Sequence, residues 1–445
     1  MRCTRHFPKL FINLIETFIK MLKGILAFSL CGLFWLAVLP LQRASFFISA
    51  QARKPSQVLK QVAEQQDKLL EKFDSDVGAG KAQLYDWEAR ADSLRQFTAE
   101  RSVGFKIADW KGDELLSLAT LYQTAENFPA AIEAFRAYLK EDSKSRKALE
   151  TQFNLARVLI ELEQFAEAEN VLVGMYFART SFRDAPMVVA AKLALYKDLA
   201  LAWRDQNKLD RALAMAKEGF YLAAATTQDR LNEVARRDHF SLAALYVAML
   251  ERLNRKKEAD GVQKQFVTGD LKEQPPMQSF YEAELASARL IGKPAPELAD
   301  VRWMSNAPKT IASLRGKTVL LNFWAMWCSS CAGDFPHLAE FQNKFGGKGL
   351  EVVGVTRFYG RSDTEEGLSR EQELKSLQNF KSNHGMNYPV AVGKIDDLTN
   401  DERYGIAGMP SVILIDRSGT VRHIQRSESE YRKLEKRIER LVNEN

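Results

Sequence analysis

The sequence predicts an α-helical repeat array followed by an α/β domain, a mixed sheet with helices on both faces. Two observations predict it. Residues 112–267 are almost wholly helical in apolar pattern, and one arrangement of large and small residues recurs there. From about Ile291 onward, short β-type runs alternate with helical stretches and end in a hairpin and a last helix. At 445 residues the chain has room for two or three domains, and 46% apolar residues can fill their cores.

Residues 1–52 read as a targeting segment, either a signal peptide or an N-terminal membrane anchor. Gly24 to Leu41 carries no charge, and Lys20 and Lys23 precede it. Basic residues on that side place the rest of the chain outside the cytoplasm. Ala50-Gln51-Ala52 offers a cleavage site, although the stretch after Leu41 is long for a signal peptide, so cleavage and retention stay open. The formal charge of +6 lies mainly here, because Arg2, Arg5, Lys9, Lys20, Lys23 and Arg43 face only Glu16. The near-neutral remainder shows no basic patch and argues against nucleic-acid binding.

Residues 53–111 form a helical linker or cap. Val58, Val62, Leu69 and Leu70 share one face of a helix. Residues 112–290 form the array. Leu118-Ala119 with Phe128, Ala131 and Phe135 has the same offsets as Leu155-Ala156 with Phe165, Ala168 and Leu172. Leu199-Ala200 with Leu209, Ala212 and Ala216 repeats them again. The small residues let antiparallel helices approach, and the large ones fill the space beside them. A fourth, degenerate unit begins near Tyr246, with Ala259 in register. This pattern resembles the tetratricopeptide repeat, although the longer spacings leave a generic helical array open. The resemblance implies a surface for a protein partner; a simple spacer is the alternative.

Residues 291–445 form the α/β domain. Expected strands are Thr318 to Trp324, Glu351 to Thr356, Tyr388 to Val392, Ser411 to Asp416 and Thr420 to Gln425. Expected helices run from Ser329 to about Phe345 and from Glu371 to Asn383, with a short one around Asp401 and a last one from about Glu428. Gly346-Gly347-Lys348-Gly349 follows a helix rather than opening one, so it reads as a stop and turn, not a phosphate loop. The polar stretch Arg357 to Arg370 is long for its junction and reads either as a cover on the site or as a tolerated insertion.

The chemistry concentrates at Trp327-Cys328-Ser329-Ser330-Cys331. The strand-to-helix junction sets Cys328 at a helix N-terminus, where unpaired amides and the helix dipole favour a thiolate. Cys331 lies one turn further, within disulfide reach. Cys328 is therefore the candidate nucleophile and Cys331 the resolving thiol. Trp327 shields the thiolate and offers an apolar surface to a substrate. A zinc site lacks further ligands, because the other cysteines are Cys3 and Cys31. Haem attachment needs His after the second Cys, where Ala332 stands. A purely structural disulfide is the remaining alternative.

Leu321 to Cys331 resembles the active-site stretch of the thioredoxin superfamily, and within it the exported TlpA/ResA-type thiol–disulfide oxidoreductases. Gly292-Lys293-Pro294-Ala295-Pro296, Leu314-Arg315-Gly316-Lys317, Asp334-Phe335-Pro336 and Gly408-Met409-Pro410-Ser411 support the resemblance, which spans about residues 291 to 445. It implies that Pro410 is a cis-proline beside the disulfide and that the Met409 backbone pairs with a bound substrate strand. Asp334 stands where the family usually has Glu, a residue implicated in proton transfer. Asn322 replaces the buried Asp of cytosolic thioredoxins. The expected function is exported, cell-envelope thiol–disulfide exchange with protein partners, as a reductase fed by a membrane electron donor, with no metal or organic cofactor. A redox-sensing scaffold whose array binds partners stays open. A thiol peroxidase fits less well, because such sites are not normally built as W-C-x-x-C.

Overall fold

The computed structural model describes residues 53–78, 87–177, 185–226, 231–269, 275–304, 309–406, 408–426 and 431–444. The proposed targeting segment, residues 1–52, lies outside the described residues. Among the described residues no helix is long and apolar enough to cross a membrane.

Helices α1 (Pro55–Gly78) and α2 (Trp87–Ser102) precede the array. Val58 and Val62 of α1 bury against Leu121, with Leu94 and Phe97 of α2 alongside, so both helices lie on α3 (Gly112–Thr124). Four helical hairpins follow. They are α3 with α4 (Phe128–Glu141), α5 (Arg146–Glu161) with α6 (Phe165–Phe177), α7 (Pro186–Asp205) with α8 (Leu209–Ala224), and α9 (Glu233–Arg252) with α10 (Lys256–Thr268).

One turn closes all four hairpins. Glu126, Glu163, Asn207 and Asn254 adopt φ of 56°, 58°, 58° and 59°. The next amide then donates to a carbonyl of the first helix at 2.8 Å: Asn127 to Tyr122, Gln164 to Leu159, Lys208 to Trp203 and Arg255 to Leu250. This satisfies carbonyls that a helix end otherwise leaves open. Ala131, Ala168, Ala212 and Ala259 are buried where the paired helices approach. The degenerate unit at Tyr246 thus forms the same hairpin as the other three.

Helix α11 (Pro275–Leu290) leads out of the array into a six-stranded sheet. Its strands are β1 (Arg302–Trp303), β2 (Thr318–Phe323), β3 (Leu350–Arg357), β4 (Val390–Gly393), β5 (Ser411–Ile415) and β6 (Val421–Arg426), in the spatial order β1-β4-β3-β2-β5-β6. The β2–β3 and β3–β4 pairs are parallel; β1–β4, β2–β5 and β5–β6 are antiparallel. Helices α12 (Asp334–Phe345), α13 (Arg370–Asn383) and α15 (Tyr431–Asn443) cover one face through Phe335, Leu338, Leu377, Leu434 and Ile438. The other face holds Ile311, Leu314 and Tyr404 of α14 (Thr399–Tyr404). Strand periodicity sends Val319, Leu321 and Phe323 to this second face and Leu320 and Asn322 to the first.

Three expectations shift. Residues Ser329–Gly333 form a 3₁₀ turn, and the α-helix starts only at Asp334. Pro336 cannot donate to the Ala332 carbonyl, so an α-ladder cannot run back through that turn. Strand β4 begins at Val390 rather than Tyr388, because Pro389 has no amide for the ladder. The two-residue β1 escaped notice, since so short a run carries no alternation. The expected helix start at Glu428 lies outside the described residues; α15 is described from Tyr431.

Candidate redox site

Strand β2 delivers the site. All its residues are buried, and the chain leaves it through Trp324 and Ala325, both fully buried. Trp324 is clamped edge-on to Phe335 and stacked on Phe380, so the junction is held by the core. Trp327 then turns outward and is 40% exposed. Cys328 and Cys331 are joined as a disulfide. Cys328 keeps 7% of its surface and Cys331 none, so an incoming molecule reaches Cys328 first. The Cys331 amide donates to the Cys328 sulfur at 3.2 Å, and the Ser330 hydroxyl lies 3.5 Å from it.

The Met409–Pro410 peptide bond is cis. Met409 is half-buried, and its sulfur accepts from the Tyr359 hydroxyl at 3.6 Å. Tyr359 also packs edge-on to Trp327, with ring centroids 5.4 Å apart. Thus Tyr359 links Trp327 to Met409, and buried Pro410 directly precedes Ser411, which pairs with Phe323 at the C-terminal end of β2.

Asp334 is buried on the sheet face below the disulfide. Asn322 of β2 donates to its carboxylate at 2.9 Å, and the Tyr431 hydroxyl donates to its other oxygen. The Asp334 carboxylate therefore rests on Asn322 and Tyr431. Nearby Tyr388 is buried, and that burial, reinforced by the Asp334 charge, pushes its phenol well above the usual range. Tyr388 stays a neutral hydroxyl.

Sequence reasoning did not single out several residues at this site. Tyr431 lies in the last helix, far from the motif, and only tertiary packing brings it to Asp334. Tyr359 and Arg361 belong to the long stretch read as a cover or an insertion. The Arg361 guanidinium sits over the Trp327 ring at 4.5 Å, and that of Arg357 over Tyr359 at 4.6 Å. Buried Glu373 of α13 accepts from the Tyr359 and Gly360 amides at 2.8 and 2.9 Å, which pins the stretch against the site. The run Phe358-Tyr359-Gly360 inside a polar loop was the available signal. Among the described residues no three or more His, Cys, Asp or Glu side chains are grouped to hold a metal ion.

A cavity of about 480 Å³ opens elsewhere, between the array and the sheet edge, with Glu161, Asp205, His423 and Arg437 among its lining. Burial would raise the Asp205 carboxyl, but the Arg204 and Arg437 charges beside it hold it below its usual value.

A family model described as Redoxin matches residues 290–440. The chain is 30% identical over 131 residues to the thiol-disulfide oxidoreductase ResA of Bacillus thuringiensis, a match covering 29% of this chain and 66% of that protein. It is 32% identical over 154 residues to protein DipZ of Mycobacterium bovis, covering 34% of this chain and 21% of that one. The chain thus spans slightly under two thirds of the first of these relatives and about a fifth of the second. A solved thiol-disulfide isomerase from Corynebacterium glutamicum is 25% identical, with a TM-score of 0.30, over 34% of this chain and 98% of that one. Over residues 290–440 the α/β domain thus matches the Redoxin family model and is similar to thiol-disulfide oxidoreductases of the ResA type.

Proposed function

We propose that this protein is an exported thiol–disulfide oxidoreductase that reduces disulfides of protein partners. The observation that carries the reading is the disulfide itself: Cys328 keeps a little exposed surface, Cys331 none, and both follow the C-terminal end of β2 in the cluster against which Met409 packs.

The chemistry follows from that asymmetry. In the reduced protein, the Cys328 thiolate attacks one sulfur of a partner disulfide. The partner's S–S bond breaks, its other sulfur leaves as a thiolate, and a mixed disulfide forms. The Cys331 thiolate then attacks the Cys328 sulfur and expels the partner's remaining thiolate. The partner gains two electrons and, in water, two protons; the chain is left with its Cys328–Cys331 disulfide. The Cys331 amide supports negative charge on Cys328 before attack. Asp334 takes the proton from Cys331. Trp327 and the Met409 backbone hold the partner segment, and Pro410 shapes the turn that presents it.

Residues 1–52 export or anchor the domain, and a dithiol donor at the membrane restores the reduced pair. The hairpin array, read as tetratricopeptide-like, presents a surface to a protein partner. The test is reduction of an insulin disulfide with dithiothreitol as donor. Wild-type protein accelerates it, Cys328→Ser abolishes the acceleration, and Cys331→Ser accumulates a mixed disulfide visible by mass. Wild-type activity no better than that of Cys328→Ser contradicts the reading and leaves the array as the working part.

A further inference from the structure

The last helix, α15, touches both halves of the molecule. Leu434, Ile438 and Leu441 bury in the α/β core, and Glu435 pairs with Lys344 of α12 at 2.6 Å. The opposite side meets α2 and the ends and turns of the hairpins of the array. Arg432 reaches Glu126 at 3.0 Å and also Asp92, Lys433 reaches Glu161 at 2.8 Å, and Arg440 reaches Glu163 at 2.5 Å. Arg437 lies 3.8 Å from Asp205. The array is therefore held to α15 by charged contacts, spaced along the helix.

The N-terminal end of this seam is the informative part. Arg432 follows directly on Tyr431, whose hydroxyl donates to Asp334. His337, one turn along α12 from Asp334, stacks on the Tyr431 ring with centroids 4.0 Å apart. Among the groups that face Asp334 are Asn322 from β2, Tyr431 from α15, and Tyr388 from the segment before β4. Tyr431 is joined by the next residue, Arg432, to Glu126 of the array and Asp92 of α2.

We infer that Tyr431 is a positioning residue that couples docking of the array to the redox site: the Asp92–Glu126 clamp on Arg432 holds Tyr431 against Asp334, and loosening the clamp loosens that carboxylate. The inference rests on the exchange reading above and on Asp334 serving Cys331. Hydrogen bonds from Asn322 and Tyr431 stabilise the charged carboxylate. Losing either weakens the hold on the charged form, so the step that needs ionised Asp334 should move to higher pH.

The test uses reduced full chain and an aromatic disulfide whose released thiol absorbs. Cys328 expels the first thiol; Cys331 expels the second, and that second release is timed against pH. Asp334→Asn should remove the acidic limb of the profile. Tyr431→Phe should move the limb up by about one pH unit, the size expected for losing a hydrogen bond to a charged group. The pair Asp92→Asn with Glu126→Gln keeps the Arg432 charge but frees its side chain, and also frees Arg95 of α2, which pairs with the same two carboxylates. It should also move the limb up, slowing release there about twofold or more, a shift of about 0.3 unit. Simple removal of two negative charges would move it down instead. Arg440→Ala breaks the seam at the far end of α15 and should leave the limb in place.

An unmoved limb in Tyr431→Phe, a downward shift in the Asp92/Glu126 pair, or an equal shift in Arg440→Ala overturns the coupling. Absence of any second release from wild-type protein overturns the exchange reading itself.

Discussion

At the scale of single residues, the site depends on how closely Trp324 is packed. A Cβ at Gly354 of β3 would lie 2.9 Å from the Trp324 indole nitrogen and 3.2 Å from Val390. Those are a buried ring and a neighbouring strand, neither free to move away. Gly354→Ala should therefore cost about 1–3 kcal/mol and lower the midpoint of urea unfolding; an unchanged midpoint would show that the junction below the disulfide yields easily. Tyr359 is the other telling residue. Its burial raises the phenol, which stays a neutral donor to Met409. Tyr359→Ala would strip the wall beside Trp327 while leaving both cysteines intact. The KM for a protein disulfide should rise several-fold, with little change in reaction with dithiothreitol. Equal losses for both substrates would contradict a role in holding partners.

At the scale of elements, the array rests on one small residue per hairpin. Ala168 is fully buried where α5 and α6 approach. Ala168→Leu overpacks that crossing and should cost about 1–3 kcal/mol or more, read as a lower melting temperature. The hairpin turns obey a backbone rule as well. Asn254 holds φ of 59°, a region that costs most L-residues about 1–2 kcal/mol and that Asn tolerates. Asn254→Ala should destabilise by roughly 1 kcal/mol. The recurrence of Leu-Ala, large and small residues was legible because helix contacts within a hairpin repeat in sequence. The strands and the Cys328–Cys331 junction were legible for a similar local reason: buried runs, Pro and Gly marks and a C-x-x-C spacing are short-range signals. The partners of Asp334 were not. Asn322 and Tyr431 meet it across 12 and 97 residues of chain, and no local pattern encodes such a meeting. The α-helix beginning at Asp334 was misplaced by five residues because Ser329 and Ser330 are good helix starters, whereas Pro336 decides where the ladder begins.

At the scale of the whole molecule, two buried histidines make stability depend on pH. Burial, then the charges of Arg437 and Arg204, push His423 down to about 3 although Asp205 opposes them, and burial alone pushes His239 to about 4. In the unfolded chain both groups take a proton below about 6.5. The folded chain refuses it until well below that value. Stability is therefore complete above about pH 6.5 and falls as pH drops toward 4. The melting temperature should drop between pH 7.5 and pH 5, and His239→Gln should flatten the drop; an equally steep drop in that variant would contradict the assignment. The seam along α15 adds a second dependence. Its Arg432, Arg440, Glu126 and Glu163 partners are largely exposed, so each pair contributes little alone and salt screens it. High salt should therefore weaken the α15 seam, while the buried Ser287–Gly405 contact between α11 and the end of α14 keeps the two halves together. The central claim, that Cys328 and Cys331 exchange a disulfide with partners in the reducing direction, is tested most directly by the reduction potential of that pair. The full chain would be equilibrated in dithiothreitol redox buffers and the free thiols counted by mass after alkylation. The account predicts one reversible two-electron couple near the roughly −270 mV of thioredoxin. A couple nearer about −120 mV would make the protein an oxidant, and no reversible change at all would remove the pair from catalysis.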